Sequence, residues 1–160
     1  MKEFSVSNFP LGNISLEEAF HKVFSPDSLR RIHGTDMMIT DWNHKLERSF
    51  QFFVDLPQIP NEIKRFFCGS RLKITTKQQM TKTENNIQVK NKIKLHVLGA
   101  EFVSVRPTFY LHYENKRSFL SINIEHRARF PPPLNKIIEG FMTHTSERAF
   151  ETFTRLVLQV

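Results

Sequence analysis

The stretch Phe130-Pro-Pro-Pro-Leu-Asn-Lys-Ile-Ile-Glu-Gly-Phe141 separates two periodicities, and any fold for this chain has to respect that division. Three consecutive prolines carry no amide hydrogen and hold φ near the helical value, so they can close a strand and open a helix but continue neither. Beyond them, apolar or small residues return at helical spacing: Leu134, Ile137, Ile138, Phe141, Thr145, Ala149, Phe153, Leu156 and Val160. This predicts one amphipathic helix from Leu134 to Val160, about 40 Å long, with Phe141 and Phe153 turned toward whatever precedes it.

What precedes it alternates with the two-residue period of strands. Leu72, Ile74, Thr76, Gln78 and Met80 share one parity, with Arg71, Lys73, Thr75, Lys77 and Gln79 on the other. Glu84-Asn85-Asn86 then reads as a hairpin turn, and Ile87, Val89, Ile93, Leu95 and Val97 return against Gln88, Lys90, Lys92, Lys94 and His96. A third run spans Phe102 to Tyr113, turns at Glu114-Asn115-Lys116, and comes back through Leu120, Ile122, Ile124, His126 and Ala128. Upstream, Asp36 to Leu56 is strand-like, with Leu46, Arg48, Phe50, Phe52, Val54 and Leu56 on one parity. Glu3 to Phe9 forms a first strand closed by Pro10 and Gly12. Ser15 and Glu18 offer a capping box for a helix carrying Ala19, Phe20, Val23 and Phe24; Pro26 and Asp27 break it, and a short turn follows over Ser28 to His33. A sheet with one apolar face needs a cover, and the last helix can supply it.

With 160 residues the chain is expected to be one domain, 1–160, able to bury a core without disulfides or metal. The single cysteine, Cys68, excludes an internal disulfide framework. The N-terminal residues hold no apolar signal-peptide core and no transmembrane run appears, so a cytoplasmic protein is expected. The seven histidines are scattered without metal-ligand spacing, and no phosphate-binding loop or nucleophile elbow is present; no metal, cofactor or catalytic residue is expected. The net charge of +7 favours anionic partners, either nucleic acid or an acidic membrane.

The order of strand, two short helices, antiparallel meander and long final helix resembles the START-like (SRPBCC) superfamily. There a curved antiparallel sheet wraps a long C-terminal helix, the α+β helix-grip fold. Within it, "EEAFHKVFSPDSLRRIHG" followed by Trp42 and Arg48 is similar to the sterol-binding VASt branch. The resemblance implies binding, and sometimes transfer, of a lipid, sterol or other hydrophobic small molecule between sheet and helix. It leaves an enzyme open, since some members are cyclases or hydroxylases. The alternative on the same scaffold is a basic nucleic-acid- or protein-interaction module with a filled core.

On that reading the inward residues Phe50, Phe52, Leu95, Phe109, Leu111, Tyr113, Ile122 and Ile124, with Phe141 and Phe153 from the helix, line a pocket; on the plainer reading they are core. Arg48 lies on the apolar parity of its strand, where a guanidinium must find a carboxylate or several carbonyls. It is either a structural ion pair or the polar handle of a ligand, with Trp42 at the pocket mouth. Lys64, Arg65, Phe66, Phe67 and Arg71 join cations to adjacent aromatics and could dock on an anionic membrane surface, although Ile63, Phe66 and Phe67 also have the spacing of a short core helix. The lysines Lys73, Lys77, Lys90, Lys92 and Lys94 share the outer sheet face, either as a solvated surface or as a nucleic-acid contact.

Overall fold

The computed structural model describes residues 2–55, 71–95, 103–130, 132 and 134–157. Strand β1 (Lys2–Gly12) leads into α1 (Leu16–Phe24) and α2 (Pro26–His33). The strands β2 (Met38–Ile39), β3 (Glu47–Asp55), β4 (Arg71–Lys82), β5 (Asn86–Leu95), β6 (Val103–Glu114) and β7 (Arg117–Ala128) follow, and α3 (Leu134–Val157) closes the described chain. Among the described residues the strands form one antiparallel sheet in the order β1-β7-β6-β5-β4-β3-β2. The architecture is therefore α+β, a seven-stranded antiparallel sheet with a C-terminal helix.

Local chemistry explains the turns of the chain. Ser15 caps α1 by accepting from the Glu18 amide at 3.1 Å. Ser25 ends α1 and, through its hydroxyl, accepts from the Ser28 amide at 3.2 Å to begin α2. Pro26 thus opens a helix instead of merely ending one, because at the first helical position its missing amide has no partner to lose.

Three expectations from sequence need correction. β1 does not close at Pro10; as an edge strand it pairs only with β7, and register shifts between Val6 and Phe9 and between Pro10 and Gly12 let it continue to Gly12. Asn8 takes a φ of 52° at the first of these, and its amide donates to Ser121 Oγ. Residues 36–46 are not one continuous strand with β3. Asn43 Oδ1 accepts from the Lys45 and Glu47 amides, and Leu46 turns back at a φ of 57°, so β2 folds onto β3 as a hairpin.

The third correction concerns part of the expected face of α3. Phe153 is buried as expected, but Ile137 is 39% exposed and Ala149 is exposed, whereas Glu139 and Met142 are buried with Thr143, Ser146 and Phe150 half-buried beside them. The side chains of Leu134, Ile138, Phe141, Thr145 and Leu156 lie outside the described ones. This stripe packs on β7, β1 and α2. Phe150 meets Phe9 edge-on at 5.4 Å, and Thr143 Oγ1 lies 3.1 Å from His126 Nε2 on β7. Residues 158–160, the last of the expected helix, fall outside the described residues.

The main core joins Leu16, Ala19, Val23 and Phe24 of α1 to Ile87, Val89, Leu111, Leu120 and Ile122 of the sheet and Phe153 of α3. A smaller cluster holds Leu29, Met37 and Phe50. The two-residue turn between β6 and β7 places Asn115 and Lys116 at φ of 52° and 62°. Two left-handed residues match the twist of a tight hairpin, and lysine has no side-chain means of easing that conformation. Lys116→Gly should therefore raise unfolding stability by about 1 kcal/mol, read from denaturant midpoints at an unchanged slope. A lower midpoint would show that the Lys116 side chain contributes a contact outweighing its backbone.

Candidate functional site

Antiparallel register draws a polar line across the inner face. Arg48 on β3 lies opposite Gln78 on β4, and Gln78 opposite Asn91 on β5. All three are buried. Arg48 Nε donates to Gln78 Oε1 at 2.6 Å and Nη2 to the Phe24 carbonyl at the end of α1 at 2.7 Å. Gln78 Nε2 then donates to Asn91 Oδ1 at 2.8 Å, and Asn91 Nδ2 donates to the Pro107 carbonyl at 3.3 Å.

The far end of this line lies at a gap in the backbone ladder. Pro107 sits inside β6 with no amide hydrogen, and the β5–β6 pairing lapses between Lys90 and Ile93. Asn91 fills the lapse with its side chain. Gln78 in turn satisfies Asn91, and any neutral donor at position 48 could satisfy Gln78.

The positive charge of Arg48 is left over from this accounting. Its guanidinium carbon lies 4.3 Å from the Trp42 ring centre, a cation–π contact. Among the described residues no carboxylate stands within ion-pair distance, and none accepts from Nη1. Burial lowers its pKa to about 10, which leaves it charged at neutral pH. One rung along, Thr76 is 1% exposed and its hydroxyl has no hydrogen-bond partner among the described residues. A buried hydroxyl without a partner costs about 1–3 kcal/mol, so this rung is also incompletely satisfied by the protein.

The expected pocket residues divide among several settings. Trp42 and Phe109 join Phe20 and Phe24 in an aromatic group beside Arg48, with Phe24 and Phe109 edge-on at 5.4 Å. Phe50 and Phe52 stack instead on His33, at 5.7 and 4.2 Å. Leu111, Ile122 and Phe153 belong to the main core, with Ile124 packed against it. Tyr113, although it touches that core, also lines an open concavity of about 550 Å³ between Asn13, Ile14 and Ser15 and the β6–β7 turn. The side chains of Leu95, Phe141 and Arg71 lie outside the described atoms, and Lys64, Arg65, Phe66 and Phe67 lie outside the described residues. Sequence reasoning passed over Gln78, Asn91 and Thr76. Their signal was polar residues on the apolar parity of neighbouring strands, but only register aligns them.

On the outer face, Lys77 stands directly opposite Lys92 and Gln79 opposite Lys90. Tyr110, 44% exposed, lies on β6 opposite Gln88, an aromatic neighbour that the lysine-bearing strands themselves do not carry. No described group of three or more His, Cys, Asp or Glu side chains could hold a metal, and no described helix is long and apolar enough to cross a membrane.

No protein-family model matches the chain, and no curated protein matches it. Solved structures do. A protein of Thermus thermophilus superposes with a TM-score of 0.56 at 10% identity, over 98% of this chain and 94% of that one. A protein of Rhizobium loti gives 0.53 at 13% identity, over 95% and 96%. A conserved protein of Geobacillus kaustophilus gives 0.53 at 8% identity, over 97% and 91%. At such identities the likeness is one of fold, and none of the three is described by an activity.

His33 supplies a pH test of this interior. Burial against Phe50 and Phe52 lowers its pKa from 6.5 to about 4. Between those values the unfolded chain binds a proton that the folded chain refuses, so stability is lost as pH falls from 6.5 toward 4. His33→Phe should flatten that part of the stability profile relative to the wild type in denaturant titrations at pH 7, 6 and 5. Parallel profiles for the two proteins would place the proton-linked group elsewhere.

Proposed function

We propose that this chain is a helix-grip module of START-like type that binds a hydrophobic ligand between the sheet and its helices. The observation that carries the reading is Arg48. A guanidinium removed from water without a counter-charge is costly, and the local backbone requires only a neutral donor at that position. A ligand with an apolar body and one polar end would use the charge that packing leaves unused. The half-buried Phe52, Ile74 and Ile93 extend the inner face beyond it as an apolar wall. The fold-level likeness to the solved structures agrees with this architecture and carries no ligand with it.

Native mass spectrometry of the purified protein should reveal a bound apolar molecule of defined mass, and protein stripped of it should take up fluorescent fatty-acid or sterol probes. Stripped, folded protein that takes up neither probe would overturn the reading.

A second reading, a nucleic-acid surface on the same scaffold, is favoured by one arrangement: exposed Lys73, Lys77, Lys90 and Lys92 on the outer face, with exposed Tyr110 on β6 next to its Lys90 end. Directly opposed lysines repel, so Lys92→Glu should stabilise the sheet by about 0.5 kcal/mol through its pair with Lys77. If this face binds single strands, the same change should weaken oligonucleotide binding and reduce its salt dependence, as measured by fluorescence anisotropy. Unchanged binding would remove the outer lysines from consideration.

A further inference from the structure

The polar end of the ligand can be specified further, on the premise that the chain binds an apolar ligand at all. Arg48 presents three nitrogens, and protein acceptors account for two: Nε to Gln78 and Nη2 to the Phe24 carbonyl. Both acceptors are neutral, so among the described residues the site retains one whole positive charge. The remaining nitrogen, Nη1, has no acceptor among the described residues.

Thr76 supplies a second, independent sign. It pairs with Phe50 on β3, as Gln78 pairs with Arg48, so Arg48–Gln78 and Phe50–Thr76 are consecutive rungs on one face. Its hydroxyl is buried and has no partner among the described residues. Consecutive same-face rungs lie about 7 Å apart, a span that a carboxyl group can bridge with a hydrogen bond at each side. Beside Thr76 the face carries Ile93, and past it Ile74 and Phe52, all half-buried and apolar.

We propose that the ligand is a long-chain carboxylic acid whose head group accepts from Arg48 Nη1 and Thr76 Oγ1 while its chain lies over Ile93, Ile74 and Phe52. A single uncompensated cation balances a monoanion; a phosphate monoester would bring nearly two negative charges to one positive charge and leave the remainder buried. A sterol would bring a hydroxyl and leave the cation without a counter-charge. The guanidinium is also suited to the planar carboxylate, and the Trp42 ring lies against it at 4.3 Å.

The test uses a sixteen-carbon acid with a pyrene at its far end, the methyl ester of that acid, and a fluorescent sterol, each titrated into stripped protein. Wild type should bind the acid at least tenfold more tightly than the ester or the sterol. Arg48→Met should abolish that preference. Because this change could disturb folding, Thr76→Val provides the second arm: it removes a hydroxyl that makes no hydrogen bond to the described residues, so the unfolding midpoint should hold or rise while acid affinity falls about tenfold and ester affinity falls by less. Equal binding of acid and ester, tighter binding of the sterol, or a Thr76→Val protein with wild-type acid affinity would overturn the head-group assignment and leave the apolar-ligand reading standing. Failure of all three probes to bind would bring down both.

Discussion

The interior depends on the antiparallel register of β3, β4 and β5. Side chains alternate between faces with a period of two, so a slip by one residue would exchange the buried row for the lysine row. Arg48, Gln78 and Asn91 would then point to solvent, and Lys77 and Lys92 into the core. The hydrogen bonds from Arg48 to Gln78 and from Gln78 to Asn91 exist in one register only. The polar line therefore makes pairing specific, while the apolar residues on either side supply most of the burial.

Much of the architecture could be read from the chain. β4 to β7 show clean alternation, the first helix carries its own cap at Ser15, and the prolines mark the passage to α3. What escaped depended on contacts distant in sequence. Pro10 looks like a strand terminator until its strand is found at an edge with bulges. The face of α3 could not be chosen from periodicity because its residues are of mixed polarity all round: the buried side includes Glu139 and Ser146, and Ile137 is exposed. Its orientation is set by what β1, β7 and α2 offer, including Phe9 and His126.

The candidate site was legible in part for the same reason. Arg48 stood out because a cation on an apolar parity is a conflict visible within one strand. Gln78 and Asn91 are ordinary polar residues taken singly, and thirty and forty-three positions respectively separate them from Arg48 along the chain, roughly the reach of two hairpins. The line begins where the β5–β6 ladder lapses: Asn91 donates to the Pro107 carbonyl there, and the polar sequence runs across two strands to Arg48.

Ser25 has a mechanical consequence. It serves as the last cap of α1 and the first cap of α2, so the two helices meet with no free residue between them. The corner has no slack and behaves as a stiff elbow, whose inner edge, the Phe24 carbonyl, is tethered to Arg48. A pull on the guanidinium is thereby transmitted to both helices together, as a lever transmits force about a fixed pivot, and backbone amides on α1 and α2 would open to solvent hydrogen exchange as a single unit.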